Sequence, residues 1–118
     1  MNKRVVGAAA EEKVAAHLEK QGVQIIERNY RNRSGEIDLI GRHEGYLVFF
    51  EVKYRGSASK GYPGEAVTVG KQRQICKVAD YYRCVHKLPL STAIRFDVVS
   101  VMKDEITWIK NAFPYHYR

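Results

Sequence analysis

Two carboxylates and a lysine interrupt runs that otherwise read as buried sheet. In the stretch GEIDLIGRHEGYLVFFEVKYR, Asp38 breaks into Ile37, Leu39 and Ile40, and Glu51 and Lys53 break into the run from Leu47 to Val52. A charge inside a sheet is costly unless it is paired or bound to metal. Two close carboxylates repel each other and raise one pKa, and a hard divalent cation with a preference for oxygen relieves that repulsion. Held by Asp38, Glu51 and a backbone carbonyl, that of Val52, Mg²⁺ or Mn²⁺ would acidify its water and polarise a phosphodiester oxygen. Lys53 would orient the water or neutralise charge growing on phosphorus. This is the chemistry of phosphodiester hydrolysis. A plainer alternative stays open, because Glu51 and Lys53 are strand neighbours at i, i+2 and suit a simple salt bridge. An internal salt-bridge network in a structural protein is a third reading of the same charges.

The elements around these residues must bring them together. YLVFFEVKYR is rich in β-branched and aromatic residues and reads as a strand. Alternation puts Leu47, Phe49, Glu51 and Lys53 on one face and Val48, Phe50 and Val52 on the other. GEIDLIGR reads as the preceding strand, with Glu36, Asp38 and Ile40 on one face, and Glu44–Gly45 as a tight turn between the two. That hairpin sets Asp38 opposite residues in the low fifties, beside Glu51. VQIIERNYR reads as a strand before them, which makes an antiparallel meander. In AAAEEKVAAHLEKQG, Glu11, Val14, Ala15 and Leu18 recur at i, i+3, i+4, i+7 on one helical face, and Gly22 stops the helix. Glu11 therefore falls on the packing face, where it would hold an outer-shell water or a second ion.

GSASKGYPGEA reads as a loop. A second helix is expected from Lys71 to about Lys87, with Ile75, Val78, Ala79 and Tyr82 as its apolar face and Lys71 and Gln72 one turn earlier on that side. AIRFDVVSV is a fourth strand and EITWIKNAF a fifth. The whole, residues 1–118, reads as one α/β domain with a mixed central sheet flanked by helices. Asp97 shares a strand face with Arg95 and reads as its structural partner. Glu36 reads equally as an outer ligand or as a solvated strand end.

Composition narrows the function. The chain has 118 residues, 45% hydrophobic and 28% charged, which suits one globular core and excludes a disordered chain. No apolar run approaches the ~20 residues that span a bilayer, and the N-terminal residues lack a signal-peptide pattern, so the expectation is a cytoplasmic protein away from membranes. Cys76 and Cys84, on one helix, would lie about 12 Å apart, too far for a disulfide. His17, His43, His86 and His116 are scattered without metal or triad spacing. GSASKG lacks the order of a phosphate-cradling loop. A net charge of +7 favours polyanions, nucleic acid first. Its backbone would lie along Arg31, Arg33, Arg55, Lys60 and Lys71. Eight tyrosines, several beside basic residues, add groups that stack on bases or simply pack in strands.

GEIDLI, YLVFFEVKYR, AVTVGKQRQ, RFDVVSV and WIKNAF, in this order and at this spacing, resemble the bacterial UPF0102 or YraN-like family over nearly the whole chain. That family is similar to restriction-endonuclease-like nucleases of the PD-(D/E)xK type, and among them to archaeal Holliday junction resolvases. The resemblance implies an αβββαβ core and a site in which Glu11, Asp38, Glu51 and Lys53 are catalytic, with Val52 between the last two. It also implies that Lys71 and Gln72, at the start of the second helix, orient the site or meet a phosphate. It implies Mg²⁺ or Mn²⁺, DNA as substrate with branched DNA among the forms cut, a 5′-phosphate and a 3′-hydroxyl as products, and a homodimer where two symmetric cuts are made. Ala10 and Val14 stand where the family usually has Gly and Ala, and Ile37 where the nuclease signature has Pro; none of these is a metal ligand. The alternative function is a non-catalytic nucleic-acid-binding module that works with a partner enzyme.

Overall fold

The apolar patterns fold into the helices and strands that their periods indicate. The computed structural model describes residues 3–55 and 67–116, and side chains within 9–54 and 67–116. The elements are α1 (Lys3–Lys20), β1 (Gln24–Asn32), β2 (Gly35–His43), β3 (Tyr46–Arg55), α2 (Val69–Val85), β4 (Ile94–Met102) and β5 (Glu105–Phe113). This is the expected αβββαβ order with a fifth strand added. The five strands form one sheet in sequence order, β1-β2-β3-β4-β5. β3 and β4 are parallel and the other pairs antiparallel, so the sheet is mixed. The parallel pair requires a crossover, and α2 lies within it.

Local signals set the boundaries. α1 ends in a Schellman motif: Gly22, at φ +96°, donates to Glu19 O, and Val23 donates to Leu18 O at 3.0 Å. Val23 and Leu18 are both buried, which supplies the apolar contact of that motif. α2 starts at Thr68, whose side chain accepts the Lys71 N–H at 3.1 Å. Glu44 and Gly45 both have positive φ, the mark of a two-residue hairpin turn, and they set His43 opposite Tyr46.

The sheet is packed on both faces. Val14 and Leu18 of α1 bury against Leu39, Val48, Phe50, Val52 and Val99. Ile75, Val78, Ala79 and Tyr82 of α2 bury against Ile37, Ile40, Leu47, Phe49, Phe96 and Val98. Each Val, Leu, Ile or Phe among them, fully buried, contributes on the order of 2 kcal/mol. Glu12, Lys13, Ala16, Glu19 and Lys20 face outward, as the helical period requires. Cys76 and Cys84 are free thiols. Among the described residues no helix is long and apolar enough to cross a membrane.

A second buried charge holds the far strands. Asp97 is 0% exposed and is paired with Arg95, as expected. Its Oδ1 accepts from Arg95 Nε and from the Asn111 N–H, both at 2.9 Å. Its Oδ2 accepts from Arg95 Nη2 and Trp108 Nε1, both at 2.8 Å. Between the pairs Phe96↔Phe113 and Val98↔Ile109, β5 bulges opposite Asp97, and Asn111 takes φ +53° there. His43 Nδ1 lies 3.0 Å from Arg95 Nη2, which only donates, so Nδ1 accepts and the ring proton sits on Nε2, facing Glu44. Asp97→Ala leaves the buried Arg95 guanidinium without its carboxylate and should cost about 3–5 kcal/mol. Urea unfolding followed by the fluorescence of Trp108 reads this. A loss under about 1 kcal/mol would contradict the structural role.

Candidate functional site

The β2–β3 ladder runs from His43↔Tyr46 to Leu39↔Phe50 and stops. Its register, continued, sets Asp38 opposite Glu51. There the two strands part, and the Asp38 side chain takes the place of β2's main chain: Oδ2 accepts the Val52 N–H at 2.7 Å. In an extended strand the N–H and C=O of one residue point to the same side, so the Val52 carbonyl faces the β2 side as its N–H does, toward the opening. Strict alternation fails at this fork. Ile37 and Ile40, three apart, both join the α2-side core, while Leu39 joins the α1 side.

Asp38 is forced into contact with a second acid. Its pKa rises from 3.8 to about 7, first because burial disfavours the charge; the Val52 N–H opposes the rise, and the charge and hydrogen bond of Glu51 and the charge of Glu36 add to it. The Glu51 side chain is 11% exposed, and its Oε2 lies 3.7 Å from Lys71 Nζ at the start of α2. Among the described residues this is the ion pair of Glu51, and none joins it to Lys53. The simple Glu51–Lys53 bridge is therefore replaced by a pair reaching across to α2. Lys53 follows Glu51 on the α2 side of β3 and is half-buried.

Glu11 reaches the same end of the sheet through neighbours. Its Oε2 accepts from Asn29 Nδ2 at 3.4 Å. Asn29, at φ +52°, stands between Arg28↔Leu39 and Tyr30↔Ile37, the position across from Asp38. The Tyr54 hydroxyl is pushed up to about 12, first by burial and then by the charges of Glu11 and Asp38. Among the described residues no three His, Cys, Asp or Glu side chains gather as a metal cluster. The acids in contact are the pair Asp38 and Glu51.

Glu36 is half-buried and bound to Arg31, whose Nε donates to its Oε2 at 3.0 Å, so it is neither a bare strand end nor isolated from Asp38. Arg33 lies two residues on in the β1–β2 turn and is exposed. Gln72 uses its amide elsewhere: Nε2 donates to Val67 O at 3.0 Å, and Oε1 lies 2.7 Å from His116 Nε2. Lys60, the side chain of Arg55 and residues 56–66, read from sequence as a loop, lie outside the described residues. Sequence reasoning missed Asn29 and Tyr54 beside the acids. An asparagine inside a strand-forming run is the one available signal, since Asn tolerates positive φ.

The raised acid has a consequence for stability. Between about pH 4 and 7 the folded chain keeps a proton on Asp38 that the unfolded chain has released. This group therefore supports the fold at acid pH and loses that contribution as pH rises through about 7. Asp38→Asn keeps an acceptor for Val52 and removes the titration. In metal-free buffer its melting temperature should match wild type near pH 4 and exceed it at pH 8. A difference that does not change with pH would contradict the assignment.

The pattern of the family described as "Uncharacterised protein family UPF0102" matches residues 10–101. A UPF0102 protein of Lachnoclostridium phytofermentans is 56% identical over 96% of this chain and 96% of its own. One from Caldicellulosiruptor saccharolyticus is 44% identical over 96% of this chain and all of its own, and one from Persephonella marina is 38% identical over 96% and 97%. Resemblance in five separate segments thus extends to 38–56% identity over almost the full length, and the chain belongs to the UPF0102 family.

Proposed function

We propose that this protein is a metal-dependent nuclease that hydrolyses phosphodiester bonds of nucleic acid, with DNA as the polymer and branched DNA among its forms. The observation that carries the reading is the contact of Asp38 and Glu51 at the fork of β2 and β3, where burial holds one of them protonated near neutral pH. Perturbed acids of this kind concentrate where chemistry is done. The donor set fits Mg²⁺ or Mn²⁺: two touching carboxylates and the Val52 carbonyl at the same opening are all oxygen. When bound, the ion supplies Lewis-acid polarisation of a phosphodiester oxygen and a more acidic water. Asp38 and Glu51 would hold it once Asp38 gives up its proton. Lys53, on the same side of β3, meets negative charge that develops on phosphorus. Lys71 neutralises Glu51 until then, and phosphate gives it a second partner. Glu11 acts from farther out, through Asn29. Arg31, Arg33 and Lys71, with Arg55 and Lys60, supply positive charge for the polymer backbone.

Two observations favour the rival, a binding module without catalysis: among the described residues no third His, Cys, Asp or Glu side chain joins the pair, and Glu51 already has a lysine partner. The first two of three measurements separate these readings, and the third tests nucleic acid as the partner of either. Mn²⁺ at a hundred-fold excess over its Kd stabilises the fold by ~2.7 kcal/mol, so it should raise the melting temperature of wild type at pH 8 and leave that of Asp38→Asn unchanged. An equal rise in both removes Asp38 from the site. In single-turnover cleavage of branched and linear DNA with Mn²⁺, Lys53→Ala should cut the rate ~10²–10³-fold while binding holds. Unchanged cleavage would deny Lys53 its role, and no cleavage by wild type on any substrate would favour the binding module. Affinity for duplex DNA should fall with salt by about 0.9 in log–log slope per phosphate contacted. An affinity indifferent to salt would count against nucleic acid as the partner.

A further inference from the structure

A cleft of about 650 Å³ opens between the β1–β2 turn and α2, lined by Arg31, Asn32, Arg33, Ser34 and Tyr81. Its size suits a small ligand or one nucleotide unit. The turn is braced internally and lies close against α2. Asn32 Oδ1 accepts the Ser34 N–H at 2.8 Å and closes the turn. Gly35 sits so near α2 that an added Cβ would lie 2.8 Å from Gln74 Nε2. The turn and the helix therefore face each other across the cleft.

Its lining pairs charge with an open aromatic face. Arg31 engages Glu36 through Nε and Nη2, yet its side chain is 75% exposed, which leaves the Nη1 donors to the cleft. Arg33 is exposed and joins no ion pair among the described residues. Tyr81 is 55% exposed, whereas its neighbour Tyr82 is buried against Phe49 and Tyr30. The core therefore does not require an aromatic ring at position 81. Arg31 pairs with Glu36 across β1 and β2, and Glu36 precedes Asp38 by two residues of strand, roughly 7 Å. That is about the reach from one phosphate to the next along an extended, unpaired strand.

Resting on the nuclease reading for where the cut occurs, we infer that this cleft is a subsite for an unpaired nucleotide, in which Arg31 and Arg33 hold a phosphate beside the scissile one and Tyr81 stacks on the exposed base. A base inside a duplex is covered on both faces by its neighbours, so the ring favours substrates with unpaired nucleotides next to the cut. Such stacking is tolerant of sequence.

Binding in EDTA tests this without any cleavage. Fluorescence anisotropy is measured with three labelled DNAs of equal length: a single strand, a blunt duplex, and a single strand of abasic sugar-phosphate. Tyr81→Ala should weaken the single strand by about 5- to 100-fold and leave the duplex and the abasic strand unchanged. Tyr81→Phe, which keeps the ring, should bind as wild type. Arg33→Ala should weaken the two single strands and lower their salt slope by about 0.7. A melting curve of each variant confirms that it is folded. Single-strand binding by Tyr81→Ala equal to wild type, or an equal loss on the abasic strand, would overturn the subsite. Because no metal is present, the result holds whether or not the protein cuts, so failure of the nuclease reading shows separately, in the Mn²⁺ cleavage assay.

Discussion

The hydrogen bond from the Val52 N–H to Asp38 Oδ2 stands where the main chain of β2 would otherwise accept. Much follows from that exchange. Because a side chain and not the backbone satisfies Val52, β2 and β3 part after Leu39↔Phe50. The parting leaves the Val52 carbonyl at an opening and holds the Asp38 carboxyl against Glu51. Burial and the second acid then push Asp38 up to about 7. A sheet that continued its ladder would bury the same residues as a strand pair and leave no opening for a ligand.

Asp97 shows what a carboxylate in this sheet looks like when its task is structural. It is the more deeply buried of the two, yet Arg95, Trp108 and Asn111 supply four donors to its two oxygens. Asp38 has one backbone donor and an acid for a neighbour. In the low dielectric of a protein interior a charge fully satisfied by donors is locked in place, while one left short must hold a proton or attract a cation. The difference lies in the count and kind of partners, and depth alone does not reveal it.

Period carries far in this chain. Alternation in YLVFFEVKYR groups Glu51 with Leu47 and Phe49, whose face α2 proves to cover, and the Glu44–Gly45 turn sets the register that brings Asp38 beside it. The helical repeat from Glu11 to Leu18 matched the buried face of α1, although α1 begins earlier, at Lys3. What could not be read depends on contacts between distant segments. The cation of Glu51 comes from α2, twenty residues on, and not from Lys53. Gln72 turns to His116 near the C-terminal end. Ile37 leaves its alternate face because the fork releases β2 from its ladder. His43 reads as one of four scattered histidines and proves to be a partner of Arg95. None of these has a local pattern, since each arises only when the sheet has formed.

Diffraction from crystals soaked in Mn²⁺, recorded at a wavelength where manganese scatters anomalously, tests the central claim most directly. The expected result is a single strong peak among the Asp38 and Glu51 carboxylates and the Val52 carbonyl, with Lys71 Nζ drawn away from Glu51, and no such peak in crystals of Asp38→Asn. A wild-type map with no peak there, and Lys71 still on Glu51, would contradict it.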